Sequence, residues 1–345
     1  MIMKKTNNKR QIERDRNRRS NKRLFWMLIL LFFTALMLGT TSYAWFTSNR
    51  IVSVDSLNVH VQAQGGIEIS VDGSNWKTIV TQEDLENAVS TYSVSLNQLP
   101  DQLEPVSTGG LVTGGFLDMY YGVTSSDVNG NYILSATKSD ESLGYGADSE
   151  GKFMAFDLFF KVDNESVVYL TPESTVSYLG DRNDGSKNSI RFAFLDEGTV
   201  PVGSAVGSIQ SLRGGTSDSL YIWEPNSDTH SVTGISNAKD VYDITVGASG
   251  SSPVSYSGIT SPFSDALNIT LKDATSAKYP AYFRTVDVDY NTAANFSGNQ
   301  EVWTFKAGIT KMRVYIWIEG QDVDCENSSA SGDLEFKFQL STNPS

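Results

Sequence analysis

The sequence predicts an all-β protein: an antiparallel β-sandwich with long loop insertions, preceded by one N-terminal hydrophobic helix. Three features support this prediction. An uncharged apolar run lies near the N-terminus, apolar residues recur at every second position through much of the remaining chain, and the loops are rich in Gly, Ser and Asn. The 345 residues suffice for one large or two ordinary domains. We expect one sandwich domain because the sequence contains no convincing internal repeat.

Charge is divided unevenly along the chain. Residues 1–23 contain ten Lys or Arg against Glu13 and Asp15, a net charge of +8, which leaves −21 for the rest of a chain whose total is −13. An acidic body repels phosphate backbones, so nucleic acid is not an expected partner. Basic residues beside an apolar run are typical of the cytoplasmic side of a membrane segment.

The apolar run predicts export. Residues 24–38 carry no charge, and extension to Ala44 gives 21 residues. A helix of that length spans roughly 30 Å, the thickness of a bilayer core. Ser42-Tyr43-Ala44 also fits the small-x-small site of a signal peptidase, with Trp45 as the new N-terminus. The helix is therefore either a cleaved signal peptide or a retained membrane anchor, and the sequence leaves both open.

These features predict a basic cytoplasmic segment at 1–23, a signal peptide or transmembrane helix at 24–44, and an extracellular domain at 45–345. The expected location is the cell surface or the medium, with membrane attachment through residues 24–44 if the helix is retained. Gly/Ser-rich stretches near 108–115 and 247–262 are predicted as insertions into the sandwich.

Four segments of the body alternate in the manner of strands with one buried and one solvated face: 154–162, 190–194, 312–319 and 334–340. In 312–319, Arg313, Tyr315, Trp317 and Glu319 fall on the face opposite the apolar residues. One short helix is predicted from Thr81, which caps it, to about Val89, with Glu83 and Asp84 near its positive end.

The start of the body has a break in its alternation. Val52 and Val54 share one parity, whereas Leu57, Val59 and Val61 share the other. This break predicts a bulge or bend near Asp55-Ser56. If cleavage frees Trp45, this extended segment is a candidate donor strand for a sheet edge of a neighbouring copy.

Two N-terminal motifs resemble exported Gram-positive proteins of the TasA/camelysin type: residues 43–49 (YAWFTSN) and residues 54–59 (VDSLNV). Blocks at 155–161, 222–226 and 315–325 look like segments of clostridial-type surface proteins with similar leaders. The resemblance implies a dedicated (SipW-type) signal peptidase as a partner, a jelly-roll form of the sandwich, and a role as a biofilm-matrix subunit.

The resulting hypothesis is a non-catalytic cell-surface or biofilm-matrix structural protein that assembles through β-strand edges with copies of itself or with other matrix proteins. Two alternatives stay open. One is a membrane-anchored module that binds an extracellular ligand such as a glycan, on which exposed Tyr or Trp side chains could stack, although Tyr315 and Trp317 could equally cover a second sheet face. The other is a camelysin-like metallopeptidase.

Catalytic patterns are weak in this sequence. A catalytic zinc site needs about three protein ligands, whereas the chain has only His60 and His230 and lacks a His-Glu-x-x-His motif. Cys325 excludes an intrachain disulfide because it is the single cysteine, and its neighbours Asp324 and Glu326 oppose a reactive thiolate. It is expected at a turn, where an intermolecular disulfide is conceivable. We therefore expect no enzymatic activity.

Calcium is the best candidate among small ligands. Glu319, Asp322, Asp324 and Glu326 crowd one strand end, and carboxylate oxygens suit Ca²⁺. The competing interpretation of these residues is a set of solvated acidic turns.

Overall fold

The computed structural model describes residues 57–100, 103–126, 132–139, 152–178, 185–247, 254–291, 296–325 and 334–344. All of them belong to one compact unit, Ala44–Ser345. Among these residues no helix is both long and apolar enough to cross a membrane. Several predicted features lie outside the described residues, namely the helix at 24–44, the cleavage residues Ser42, Ala44 and Trp45, the donor residues Val52 and Val54, and Glu326.

The described chain is mostly β-structure. Its strands, in chain order, are β1 (Leu57–Gln64), β2 (Glu68–Ser70), β3 (Ile79–Thr81), β4 (Pro105–Val106), β5 (Val112–Thr113), β6 (Phe116–Leu117), β7 (Met119–Ser126), β8 (Tyr132–Ser139), β9 (Met154–Val162), β10 (Ser166–Leu170), β11 (Thr175–Tyr178), β12 (Ile190–Val200), β13 (Leu220–Glu224), β14 (Ser257–Ile259), β15 (Phe283–Thr285), β16 (Asp289–Tyr290), β17 (Gln300–Phe305), β18 (Gly308–Glu319) and β19 (Leu334–Ser341). The four segments predicted from alternation are confirmed as β9, β12, β18 and β19.

Within the described residues three short α-helices accompany the strands: α1 (Gln82–Asn87), α2 (Val206–Gln210) and α3 (Val232–Asp240). Helix α1 confirms the predicted helix. Thr81 is its N-cap and forms a capping box with Asp84, and a 3₁₀ turn at Ala88–Ser90 continues it.

Two larger sheets organise the fold. The six-stranded sheet has the order β17-β10-β19-β1-β3, with β11 also paired to β19. The seven-stranded sheet has the order β16-β13-β12-β18-β9-β2, with β4 paired to β18. Three strand pairs, β5-β6, β7-β8 and β14-β15, stand beside these sheets.

Most neighbours are antiparallel, but three pairs are parallel: β1 with β19, β13 with β16, and β4 with β18. The longest of them places Leu57 opposite Leu334 and Gln64 opposite Ser341. The predicted antiparallel pairing is therefore wrong for these three pairs. Only hairpin-linked neighbours must be antiparallel, whereas strands far apart in the chain can pair in either sense.

Apolar side chains from both sheets form one buried cluster. Val59, Val61 and Phe338 come from the six-stranded sheet, whereas Phe156 and Ile316 come from the seven-stranded sheet. Cys325 also belongs to this cluster and is 2 % exposed, so it does not present its sulfur at a surface turn.

The outer face of the seven-stranded sheet is also covered, and here the prediction of one-sided burial is wrong. All residues of β18 are buried, including Arg313, Tyr315, Trp317 and Glu319. A second apolar cluster explains this burial, because Leu117, Met119, Tyr256 and Val286 from inserted segments pack on that face. Only β19 keeps the predicted pattern at its start, with Glu335 and Lys337 half-exposed.

The two predicted insertions meet each other on this covering layer. The Gly109 N–H donates to the Ile259 carbonyl at 2.7 Å. A Cβ atom at Gly258 would lie 1.7 Å from the Thr108 carbonyl oxygen, so only glycine permits this approach. Stretches expected as loose loops thus help to build the layer that buries the charged side chains of β9, β12 and β18.

Candidate functional site

A first group of buried charges, here called the Asp157 cluster, consists of Asp157, Lys311, Arg313 and Tyr92. Asp157 and Arg313 face each other in the register of β9 and β18, and Lys311 lies two residues earlier on β18. Arg313 Nη1 donates to Asp157 Oδ1 at 2.8 Å, and Lys311 Nζ lies 3.1 Å from Oδ2. The Tyr92 hydroxyl donates to Oδ2 at 2.7 Å.

The surroundings of the Asp157 cluster shift the pKa values of its members. Burial by itself raises the pKa of Asp157, but the Arg313 and Lys311 cations outweigh it and keep that pKa below its usual value. Burial lowers the pKa of Lys311 and raises the pKa of Tyr92. An acid with a lowered pKa and a phenol with a raised pKa are poorly suited to exchange protons near neutral pH. These shifts keep Asp157 ionised and Tyr92 protonated near neutral pH.

A second group, the Arg191 cluster, consists of Arg191, Glu224, Asp322, Glu319 and Tyr256. Arg191 Nη2 is 2.8 Å from Glu224 Oε1 and also pairs with Asp322 Oδ2. The Arg191 guanidinium lies 5.5 Å from the centre of the Tyr256 ring. Glu319 accepts from the Trp317 indole N–H at 3.0 Å. Arg191 and Glu319 are both 0 % exposed.

Carboxyl groups of the Arg191 cluster are shifted toward the protonated form. Burial raises the pKa of Glu224 to about 7 even though Arg191 opposes the shift. Burial likewise raises the pKa of Glu319 to about 7, and the pKa of Asp322 is raised for the same reason. One guanidinium is therefore shared among several carboxyls, which take up protons more readily than exposed ones.

His230 and Asp324 form an ion pair beside the Arg191 cluster. Nδ1 of His230 lies 2.7 Å from Asp324 Oδ2, and the Ser231 N–H donates to Oδ1 at 2.8 Å. The hydrogen bond to Asp324 raises the pKa of His230 against the opposing effect of burial. A Cβ atom at Gly234 would lie 2.1 Å from Asp324 Oδ1, so this glycine leaves room for the carboxylate. The pair anchors the start of α3, where Ser231 is the N-cap.

The calcium candidates are placed close together, but they are committed to other partners. Glu319 accepts from Trp317, Asp322 from Arg191, and Asp324 from Ser231. They are 0 %, 7 % and 1 % exposed, respectively, so they are not the solvated turns of the competing interpretation. Within the described residues no group of three or more His, Cys, Asp or Glu is arranged to hold a metal ion.

The two histidines do not come together. His60 is half-buried on β1 between Val59 and Val61, and it pairs in register with Lys337. His230 is bound to Asp324, far along the chain. The residues considered for a zinc site thus belong to separate environments.

The donor residues that the structure describes lie inside the chain's own six-stranded sheet. Strand β1, which begins at Leu57, pairs with β19 on one side and β3 on the other. Val59 and Val61 are 0 % exposed in the main core. Strand β1 is thus already paired on both sides within the chain, so the predicted donor strand would have to lie before residue 57.

A cavity of about 450 Å³ opens next to the Arg191 cluster. Its walls come from residues 254–256, from residues 285–288 with Tyr290, and from Glu224. Tyr256 belongs both to the cavity and to the second apolar cluster. Sequence reasoning missed this cavity because its walls come from three chain segments that approach one another only in the folded chain.

Arg191 and Asp157 were also missed as site residues. Each stands at a polar position within an alternating strand, a pattern that normally indicates a solvent-facing side chain. The only signal for these two residues is the presence of opposite charges on strands that pair. The sequence does not predict which strands pair. Comparisons of the chain with protein-family models, with curated proteins and with solved structures find no match.

Proposed function

We propose that this chain is an exported, non-catalytic structural protein of the cell surface or biofilm matrix. Its body is a β-sandwich of the jelly-roll type, and copies associate through sheet edges. Two features of the sequence support export: the basic segment 1–23 and the apolar run that follows it. The TasA/camelysin-like motifs at residues 43–49 and 54–59 support the matrix role.

The observation that carries the assembly proposal is the edge strand β17. Among the described residues β17 pairs with β10 alone, which leaves its other side available for a further strand. It extends over six residues, Gln300–Phe305, without proline or lysine. Other edges of the two larger sheets are shorter, since β3 and β2 have three residues each and β16 has two. Long edges without proline or lysine favour pairing with another chain, whereas the exposed Glu301 and the register shift opposite Val168 and Tyr169 oppose it at one end of β17.

The donor in this proposal is the segment 45–56 of a neighbouring copy, freed by signal peptidase. Addition of an extended segment to β17 would extend the six-stranded sheet through backbone hydrogen bonds. The buried charge clusters fit a non-catalytic role, because their charged groups hold strands and inserted segments together.

The first test is the intact mass and N-terminal sequence of the native protein from culture fractions. We expect a start at Trp45 in the medium or matrix, because Ser42-x-Ala44 fits a signal peptidase site. Retention of residues 1–44 in the membrane fraction would contradict strand donation. The protein would then be a permanently anchored surface module.

A second test addresses the edge itself. Thr304→Lys places a charged, flexible side chain on the exposed part of β17, and edge lysines oppose pairing. We expect the Thr304→Lys variant to form at least tenfold fewer multimers than the unaltered protein, as measured by light scattering. Thr137→Lys is the matched control, since Thr137 is an exposed strand residue of β8. Equal multimer content in both variants would rule out β17 as the acceptor edge.

A further inference from the structure

The strand pair β7–β8 has one covered edge and one free edge. The outer side of β8 is covered, because Ala136 exchanges two backbone hydrogen bonds with Phe263. The outer side of β7 is paired at its start, where Tyr120 exchanges two backbone hydrogen bonds with Ser107. Among the described residues, no strand pairs with residues 121–126 on the side away from β8. Most of β7 is therefore an unpaired sheet edge.

The contact at the start of β7 shows which backbone groups point outward. Tyr120 directs its N–H and C=O toward Ser107, away from β8. The backbone groups of successive residues in an antiparallel pair point to opposite sides of the strand, so Gly122, Thr124 and Ser126 also direct theirs outward. The register of β7 with β8 has no shift along its length. The outward groups thus form a regular row that another strand can meet.

This edge is uncharged although the protein is acidic. Residues 119–137 include one charged residue, Asp127, whereas the chain after residue 23 has a net charge of −21. Acidic copies repel one another where their charged surfaces meet. Residues 121–126 have neither the charges that would oppose an identical strand nor the prolines and lysines that protect many sheet edges. A charged partner strand would find no opposite charge here, so a second copy of β7 is the better match.

We propose that β7 pairs antiparallel with β7 of a second copy about a two-fold axis. Such an interface uses the same surface on both copies. With the axis at Thr124, Gly122 lies opposite Ser126 of the second copy, and Thr124 lies opposite its own counterpart. This register uses all three outward residues and forms about six backbone hydrogen bonds. An axis one residue earlier or later would form only about four.

The side chains of β7 are compatible with this register. Val123, which is 52 % exposed, and Ser125, which is also exposed, share one face of the strand pair. Across the axis, each lies opposite the other residue of the second copy. Thr124 lies on the opposite face with Leu134, its partner in register and a member of a third buried apolar cluster. The new contacts therefore form at exposed residues, and the buried face keeps its present neighbours.

The experiment is sedimentation velocity of the full chain in detergent micelles over a range of concentrations. Thr304→Lys is present in every sample, because it opposes association through β17, and the β7 interface does not depend on that edge. We expect a monomer–dimer equilibrium to remain. Val123→Lys and Ser125→Glu, each alone, should raise the dimer Kd about fivefold or more, because each places like charges diagonally across the axis.

The two substitutions together test the register. In the double variant the lysine at position 123 lies opposite the glutamate at position 125 of the second copy, and opposite charges on facing residues are favourable. We expect its dimer Kd to return to within about twofold of the Thr304→Lys protein. Val202→Lys is the matched control and should leave the Kd unchanged, since Val202 is 57 % exposed in the turn after β12.

Three results would overturn the proposal. They are a Thr304→Lys protein that is monomeric at all concentrations, equal effects of Val123→Lys and Val202→Lys, and a double variant that dimerises no better than the single variants. A failure of β17 pairing is distinguished from these results, because Thr304→Lys and Thr137→Lys would then have equal multimer content whatever residues occupy positions 123 and 125.

Discussion

Replacement of Asp157 with asparagine is expected to lower the free energy of unfolding by about 3–5 kcal/mol at pH 7, the usual cost of leaving a buried cation without its partner. Lys311 and Arg313 are each 1 % exposed, and both rely on the Asp157 carboxylate. Asparagine preserves the shape of the side chain, so the loss would reflect charge rather than a cavity. Urea unfolding followed by tryptophan fluorescence measures it.

The same variant is expected to become more stable as the pH rises from 7 to 9. Burial already lowers the pKa of Lys311 in the native protein, and removal of Asp157 takes away the charge that opposes this shift. A lysine whose folded pKa lies below its unfolded value binds fewer protons in the folded state, so stability increases with pH. Lys311 can then become neutral, whereas Arg313 stays charged.

Two controls separate the effect of the lost charge on stability from an unspecific effect of the substitution. Asp163→Asn makes the same substitution at an exposed residue just after β9 and should change stability by less than about 0.5 kcal/mol. Asp157→Asn combined with Lys311→Met removes one stranded cation and should recover part of the loss. A loss below about 1 kcal/mol without pH dependence would show that the Asp157 cluster does not hold the sheet together.

Alternation predicted the strands well where one face of each strand meets the main core. Phe156, Phe192 and Ile316 each belong to a strand in which apolar residues occupy every second position, with charged residues between them. All three lie in the main cluster. The capped helix was also predictable, because Thr81 and Asp84 interact within one turn. Local patterns of this kind need no knowledge of distant contacts.

The outer face was mispredicted for a physical reason. In a single sequence, Arg191 and Asp157 look like solvent-facing residues, because a buried charge is tolerated only with a partner. The partners of Arg191 are Glu224 and Asp322, the second of which is 131 positions away. Such pairs depend on strand order and register, which periodicity does not encode. The parallel pairing of β1 with β19 was missed on the same grounds.

The predicted acidic group shows the limit of composition as a guide to chemistry. Glu319, Asp322 and Asp324 do lie near one strand end, as their spacing indicated. Asp322, however, pairs with Arg191 and Asp324 with His230, whereas Glu319 accepts from the Trp317 indole N–H. The sequence spacing shows which carboxylates are near one another, whereas the fold decides what neutralises them.

Replacement of Arg191 with methionine is expected to reveal the opposite pH dependence to that of the Asp157 variant. At pH 8 the variant should lose about 3–5 kcal/mol of unfolding free energy, because Glu224 and Asp322 would be left as buried neighbouring carboxylates. At pH 5 the loss should be smaller, because these carboxyls can take up protons and avoid mutual repulsion.

The sign of this pH dependence follows from the pKa values in the native protein. Burial raises the pKa of Glu224 and of Glu319 to about 7, above the ordinary carboxyl value of 4.5. Between those two values the folded state binds more protons than the unfolded state, so stability falls as the pH rises. The raised pKa of His230 acts in the same direction. The native protein should therefore already be less stable at pH 8 than at pH 5.

Removal of Arg191 should steepen this decline, because the guanidinium is the main influence that holds the pKa of Glu224 down against burial. Urea unfolding of native protein and variant at pH 5, 6, 7 and 8 gives the two slopes. Parallel slopes would mean that Glu224 and Asp322 reach water or another cation when Arg191 is absent. A steeper decline in the Arg191 variant between pH 5 and 8, together with rising stability of the Asp157 variant between pH 7 and 9, would establish that the outer face of the seven-stranded sheet is held by two electrically separate clusters.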